Sequence, residues 1–185
     1  MFDLMPLTRP MTALVADVRD DQLGDPTPCE DWRVADLLAH LFQFATVFAC
    51  NARGEPFPGT DGLPDDWRTV VPRALEELGR AWQQESAWQG RVSAGGVEMS
   101  AEDNAVVAAE ELVVHAWDLA RATGQDFDPD PESLGHLERF LEVFAEPIAA
   151  GTGPYGPAVS VPADASRWER LLGAAGRDPG WRPSR

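Results

Sequence analysis

The chain has 185 residues, a hydrophobic fraction of 44% and a net charge of −16, and all 15 of its basic residues are Arg. That length and apolar content suit one folded domain with a sizeable core and exclude wholesale disorder. The acidic balance, with no clustered Arg patch, excludes a surface built for nucleic-acid phosphates.

The first residues, Met1 to Pro6, contain no basic stretch followed by an apolar one, so they do not read as a secretory leader. No uninterrupted apolar run approaches the ~20 residues that span a bilayer. A cytoplasmic protein without a membrane partner is expected. Cys29 and Cys50 form no CxxC pair and are expected as free thiols, which argues against a cysteine-ligated structural zinc. Arg without Lys, a single Ile and abundant Ala, Gly and Pro indicate a high-GC coding sequence.

Helical periodicity dominates along the chain. Leu4, Leu7, Met11, Leu14, Val15 and Val18 fall at helical spacing and predict a first helix, whose start Pro6 and Pro10 obscure. Gly24 to Cys29 break the chain. A second helix is expected from about Trp32–Val34 to Ala52, with Leu37, Leu41, Phe44 and Phe48 as its stripe and Asp36 in its first turn. Residues 54–64 read as a loop. A third helix is expected over 66–88 with Val71, Leu75, Leu78 and Trp82 inward, and Pro72 kinking it or confined to its early turns.

A glycine-containing connection follows. Ser100 is a good N-cap for a fourth helix, with Glu102 and Asp103 in its first turn, ending near Thr123 before Gly124. Asp130-Pro131 opens a fifth helix, with Leu134, Leu137, Leu141 and Phe144 as its core face. Residues 151–162 read as an irregular loop. Ser166 and Glu169 have capping-box spacing before a short last helix ending near Gly176. The pattern is all-α: four long helices in a bundle, with shorter helical additions at the C-terminal end.

The fourth helix carries the chemistry. Residues 105–120 are apolar nearly all round, yet Glu111, His115 and Asp118 fall at i, i+4 and i+7 and share one face. An unpaired buried carboxylate costs roughly several kcal/mol, so something must compensate it. Glu and His one turn apart can hold a divalent cation together. His40, in the middle of the second helix among Leu37, Phe44 and Val47, offers a third donor. Two His and one Glu with an open position is a ligand set of catalytic zinc. Asp36 and Asp118, one turn from His40 and His115, are placed to orient the imidazoles.

A second reading stands beside this one: Glu111 and His115 as a buried ion pair capped by Arg121. The remaining candidates are weaker. His136 lies beside its helix's apolar stripe and is expected exposed. Cys29 precedes a helix start, which suits either a dipole-stabilised thiolate or a small buried side chain. Glu110 points about 100° from Glu111 and is expected to face solvent. There is no GxSxG, phosphate loop or dinucleotide-binding glycine pattern.

Two stretches also carry a resemblance. Pro26-Thr-Pro-Cys-Glu-Asp-Trp-Arg-Val-Ala-Asp-Leu-Leu-Ala-His40 and Glu111-Leu-Val-Val-His115-Ala-Trp-Asp-Leu-Ala-Arg-Ala-Thr-Gly124, with the ending Gly176-Arg-Asp-Pro179, resemble the DinB-like superfamily. The similar branch is that of the metal-binding domain of mycothiol-dependent maleylpyruvate isomerase. The resemblance covers nearly the whole chain, and residues 1–185 read as a single domain of this type. It implies a DinB-like four-helix bundle with a divalent metal, usually zinc, held by His40, Glu111 and His115.

It also implies a low-molecular-weight thiol such as mycothiol, held at the metal as a thiolate that attacks an electrophilic substrate. Two departures stand out. The isomerase has an additional C-terminal domain contributing to its active site, for which this chain has no room, so maleylpyruvate isomerisation itself is not carried over. Arg33 stands where the family commonly has a hydroxyl residue at the start of the second helix.

Three functions are therefore expected to compete: a mycothiol-dependent S-transferase or isomerase acting on a small electrophile, a metal-water hydrolase on the same residues, and a non-enzymatic metal-binding or stress protein. Oligomeric state is open, with a homodimer as one option because bundle faces of this type often pair.

Overall fold

A computed structural model describes residues 1–149 and 156–183. Its elements, in chain order, are α1 (Met5–Ala16), α2 (Val34–Arg53), α3 (Trp67–Ala81), the strands β1 (Arg91–Ala94) and β2 (Val97–Ser100), α4 (Ala101–Thr123), α5 (Pro131–Val143), α6 (Ala145–Ala149) and α7 (Arg167–Ala174). Short 3-10 turns cover Asp20–Gln22 and Glu85–Trp88. α2 packs on α3, α3 on α1, α1 on α4 and α4 on α2, so the four long helices close into a bundle. α5 lies against α4, and α7 against α5. The fold is all-α, with short helices added after the bundle as the sequence predicts.

The helix ends follow their local signals. The Ser100 side chain accepts the Asp103 amide at 3.0 Å, and α4 ends at Gly124 with φ 72°. Asp130 caps α5 by accepting the amides of Glu132 and Ser133 at 2.8 and 2.9 Å. Ser166 and Glu169 form the reciprocal capping box at the start of α7. At α2, Arg33 offers no side-chain cap, and Asp36 instead accepts the Arg33 amide at 2.8 Å.

Some expectations are corrected. α3 stops at Ala81 rather than near 88, because Trp82 turns in to donate its indole N–H to the Phe48 carbonyl at 3.1 Å. Trp88 then donates to the Trp82 carbonyl at 2.9 Å. The glycine-containing connection is an antiparallel hairpin pairing Arg91 with Ser100 and Ala94 with Val97. Its turn residues Gly95 and Gly96 both have positive φ, 58° and 80°, which two-residue hairpin turns favour and side chains resist. On α5 the innermost side chains are Leu137 and Phe140, while Leu134, Leu141 and Phe144 are half-buried. Of the predicted loop over 151–162, residues 151–155 lie outside the described residues.

One apolar core runs from Leu4 to Ala175. α1 and α3 approach closely because α3 has Gly79 at the crossing; a methyl group there would fall 2.5 Å from the Met5 sulfur. α2 is, by length and composition, apolar enough to cross a membrane, although polar residues interrupt its apolar run. Half of that stretch is buried, with Leu37, Leu38, Leu41, Phe44 and Phe48 in the bundle core.

Candidate metal centre

α2 and α4 pack directly on each other, and each presents its polar residues from inside an apolar stripe. That brings His40 and the Glu111/His115 pair together across the seam. His40 Nε2 lies 2.9 Å and His115 Nε2 3.0 Å from the same oxygen, Glu111 Oε2. The donor atoms of the three residues all lie within 4.8 Å of one another. The side chains of His40, Glu111 and His115 are 26%, 18% and 7% exposed, so the trio is roofed by protein on the His115 side and open on the His40 side. Trp32 forms part of the wall, its ring 4.9 Å from that of His40 and 6.1 Å from that of His115. Phe44 stacks beside His40 at 5.9 Å.

A second ring of contacts fixes His115 from behind. Its Nδ1 lies 2.8 Å from Asp118 Oδ2, one turn further along α4. Asp118 is fully buried and is gripped by Arg177 through Nε at 2.9 Å to Oδ1 and Nη2 at 2.9 Å to Oδ2. Cys29, in the loop before α2, donates its thiol to Asp118 Oδ2 at 3.2 Å and accepts from Arg177 Nη2 at 3.3 Å.

The electrostatics follow from these contacts. Burial opposes the charge on Glu111, but hydrogen bonds from His115 and His40 outweigh it and hold the carboxyl well below the ordinary carboxylate range. Burial likewise opposes a charged His115, yet Asp118, Cys29 and Glu111 together push its pKa well above that of a free imidazole. Burial would raise Asp118; His115 and Arg177 overcome it and lower its pKa.

The donor chemistry fits a divalent cation on His40, Glu111 and His115. One carboxylate oxygen and two imidazole nitrogens, all within 4.8 Å of one another, are donors a divalent cation accepts, and the cation would take the place of the protons that His40 and His115 now direct at Glu111. Asp118 accepting from Nδ1 leaves Nε2 as the ligand atom, the usual carboxylate–histidine–metal relation. Cys29, His115 and Asp118 also converge closely enough to hold an ion, but there the Arg177 guanidinium already supplies the cation. Two grooves of about 320 and 290 Å³ flank α4 elsewhere, and neither is lined by His40, Glu111 or His115.

The profile of the mycothiol maleylpyruvate isomerase N-terminal domain matches residues 4–120, which include all three residues of the trio. The chain belongs to this family. Two proteins of Mycobacterium tuberculosis, the uncharacterized proteins MT0763 and Rv0738, are each 29% identical over 168 residues, covering 89% of this chain and 90% of theirs. Among solved structures, mycothiol-dependent maleylpyruvate isomerase is similar in fold, with a TM-score of 0.57 at 22% identity; a point variant of it gives 0.60. Both matches cover 80% of this chain and 69% of the other.

Cys29 is brought against His115 and Asp118. Asp36 is engaged by the start of α2, not by His40. His136 is half-buried rather than exposed, its ring 4.1 Å from that of Phe2. Glu110 is also corrected: it is 1% exposed, because α4 is covered on that side too. Burial, then the neighbouring Glu111, raise its pKa well above the ordinary value. Arg121 does not cap the trio; it donates to the Pro179 carbonyl at 3.1 Å. The arginine that reaches the cluster is Arg177, which spacing could not reveal, although it lies within the Gly176–Pro179 ending that carried part of the resemblance.

Proposed function

We propose that the chain, as one cytoplasmic domain, binds a divalent metal, zinc, through His40, Glu111 and His115. On this reading it is an S-transferase or isomerase that uses mycothiol as its thiol co-substrate on a small electrophile. The observation carrying the reading is the convergence of two imidazole nitrogens on one Glu111 oxygen at 2.9 and 3.0 Å, with the second His115 nitrogen held by a buried carboxylate. Membership of the mycothiol maleylpyruvate isomerase N-terminal domain family supports the thiol.

A bound divalent cation would supply the positive charge that favours a thiolate over a thiol near neutral pH. The chain's own residues set the rest. Glu111 brings a full negative charge, Asp118 fixes the His115 ring, and the α2–α4 seam fixes the separation of the two histidines. The Trp32 and Phe44 rings exclude water from one side and offer apolar surface to the electrophile. The more exposed His40 edge is the side from which thiol and substrate approach.

The test is conjugation of a model electrophile such as 1-chloro-2,4-dinitrobenzene by zinc-loaded protein, with and without mycothiol. Acceleration only with mycothiol, lost in Glu111→Gln, is expected. Hydrolytic turnover of ester or amide probes without thiol would contradict the thiol reading and favour a hydrolase.

A further inference from the structure

We propose that Arg177 selects which of two overlapping donor sets takes the cation, and that removing its charge uncovers a latent thiolate site made by Cys29, His115 and Asp118. The proposal rests on the metal reading above and extends it to Arg177, which lies outside the 4–120 segment that matches the family.

The two sets share His115 and use its opposite nitrogens. On one side are His40 Nε2, Glu111 Oε2 and His115 Nε2; on the other are Cys29 Sγ, Asp118 Oδ2 and His115 Nδ1, with Sγ 3.9 Å from Nδ1 and 3.2 Å from Oδ2. By ligand type the second set matches zinc at least as well, because each set has one carboxylate and one His115 nitrogen, and the second offers a thiolate where the first offers the His40 imidazole. Donor chemistry alone therefore does not direct the ion to the first set.

Arg177 does. Its guanidinium sits within 3.3 Å of Cys29 Sγ and 2.9 Å of both Asp118 oxygens, and the residue is 8% exposed. It neutralises Asp118 through a forked pair of hydrogen bonds, the geometry in which Arg binds carboxylates most firmly. A divalent ion arriving at this side would meet a fixed positive charge in low-dielectric surroundings and would have to break that fork. Asp118, held by Arg177, is left to orient His115 Nδ1, so Nε2 faces Glu111 and His40. Arg177 is thus a positioning residue, carried on the segment after α7 and folded back onto α4.

Without the guanidinium, Asp118 needs a new cation and Cys29 loses its donor. A metal bound there would displace the Cys29 thiol proton to solvent and gain a thiolate ligand. Cobalt(II) reports this directly, because a thiolate ligand adds a sulfur-to-cobalt charge-transfer absorption in the near ultraviolet, which His and carboxylate ligands lack.

The experiment is a cobalt titration of metal-free wild type, Arg177→Met, Arg177→Gln, Arg177→Lys and the double variant Arg177→Met/Cys29→Ser, with folding checked by circular dichroism. Wild type and Arg177→Lys are expected to bind cobalt without the charge-transfer band. Arg177→Met and Arg177→Gln should both gain the band, and the double variant should lose it. Cobalt uptake by wild type with no band in whichever neutral variant folds overturns the selection while leaving the metal reading intact, and so does a band already present in wild type. If neither neutral variant folds, the charge is needed for the fold itself and the selection is overturned as well. No cobalt uptake by wild type removes the metal reading and the selection together.

Discussion

Two seams of the bundle rest on the same helical scaffold and carry different side chains. At the α1–α3 seam the buried side chains are apolar apart from Thr8: Leu7, Met11, Leu14 and Val15 from α1, and Val71, Leu75 and Leu78 from α3. Gly79 lets Met5 and Thr8 approach. At the α2–α4 seam Leu37, Leu41 and Phe44 do similar packing work, but His40, Glu111, His115 and Asp118 are interleaved with them. Burying such groups is costly, and a fully apolar replacement is often as stable or more so. The first seam accounts for the fold. The second holds more polarity than apolar packing uses, which is what the proposed metal site would account for.

Substitutions in the two seams should have opposite consequences. The largest expected effect is at the apolar seam: Leu75→Ala, at a fully buried position, should cost about 2 to 5 kcal/mol in chemical denaturation. Its metal content per folded molecule should stay unchanged. Next is the polar seam, where His40→Leu combined with Glu111→Leu and His115→Leu should abolish metal binding. Yet the melting temperature should match or exceed that of metal-free wild type, by up to about 4 kcal/mol of added stability. Unfolding of this variant would show that the polar seam is structural after all.

Smaller effects lie outside both seams. Asp130→Ala removes the α5 cap and should lower stability by about 1 kcal/mol, seen as a drop in melting temperature without loss of metal. The smallest effect is pH-dependent. Burial lowers the His136 pKa in spite of Glu132 and Asp130, so the folded protein holds that proton less well than the unfolded chain, whose His titrates near about 6.5. This contribution to stability is full above that pH and is lost as pH falls through it. Compared with His136→Gln, wild type should therefore lose slightly more melting temperature between pH 7 and pH 5.

How much of this was legible in the sequence differs by region. The bundle and the caps at Ser100, Asp130 and Ser166 were legible because they depend on residues a few positions apart. The face shared by Glu111, His115 and Asp118 was legible for the same reason, since 3.6-residue periodicity fixes it whatever surrounds the helix. Periodicity does not say what covers the other faces, and Glu110 was therefore misplaced: its side of α4 is buried as well. The Gly95-Gly96 turn was an available hairpin signal that helical periodicity around it obscured. Arg177 was out of reach of spacing, because its partner Asp118 is 59 positions away and only the return of the chain after α7 brings them together.

Elemental analysis of purified wild type beside His115→Ala decides whether His40, Glu111 and His115 hold a divalent metal. About one equivalent of zinc or another divalent metal in wild type, absent from a folded His115→Ala protein, is the predicted result. Wild type that carries no metal and takes none up on titration would contradict it, leaving the α2–α4 seam as a buried ion-pair network.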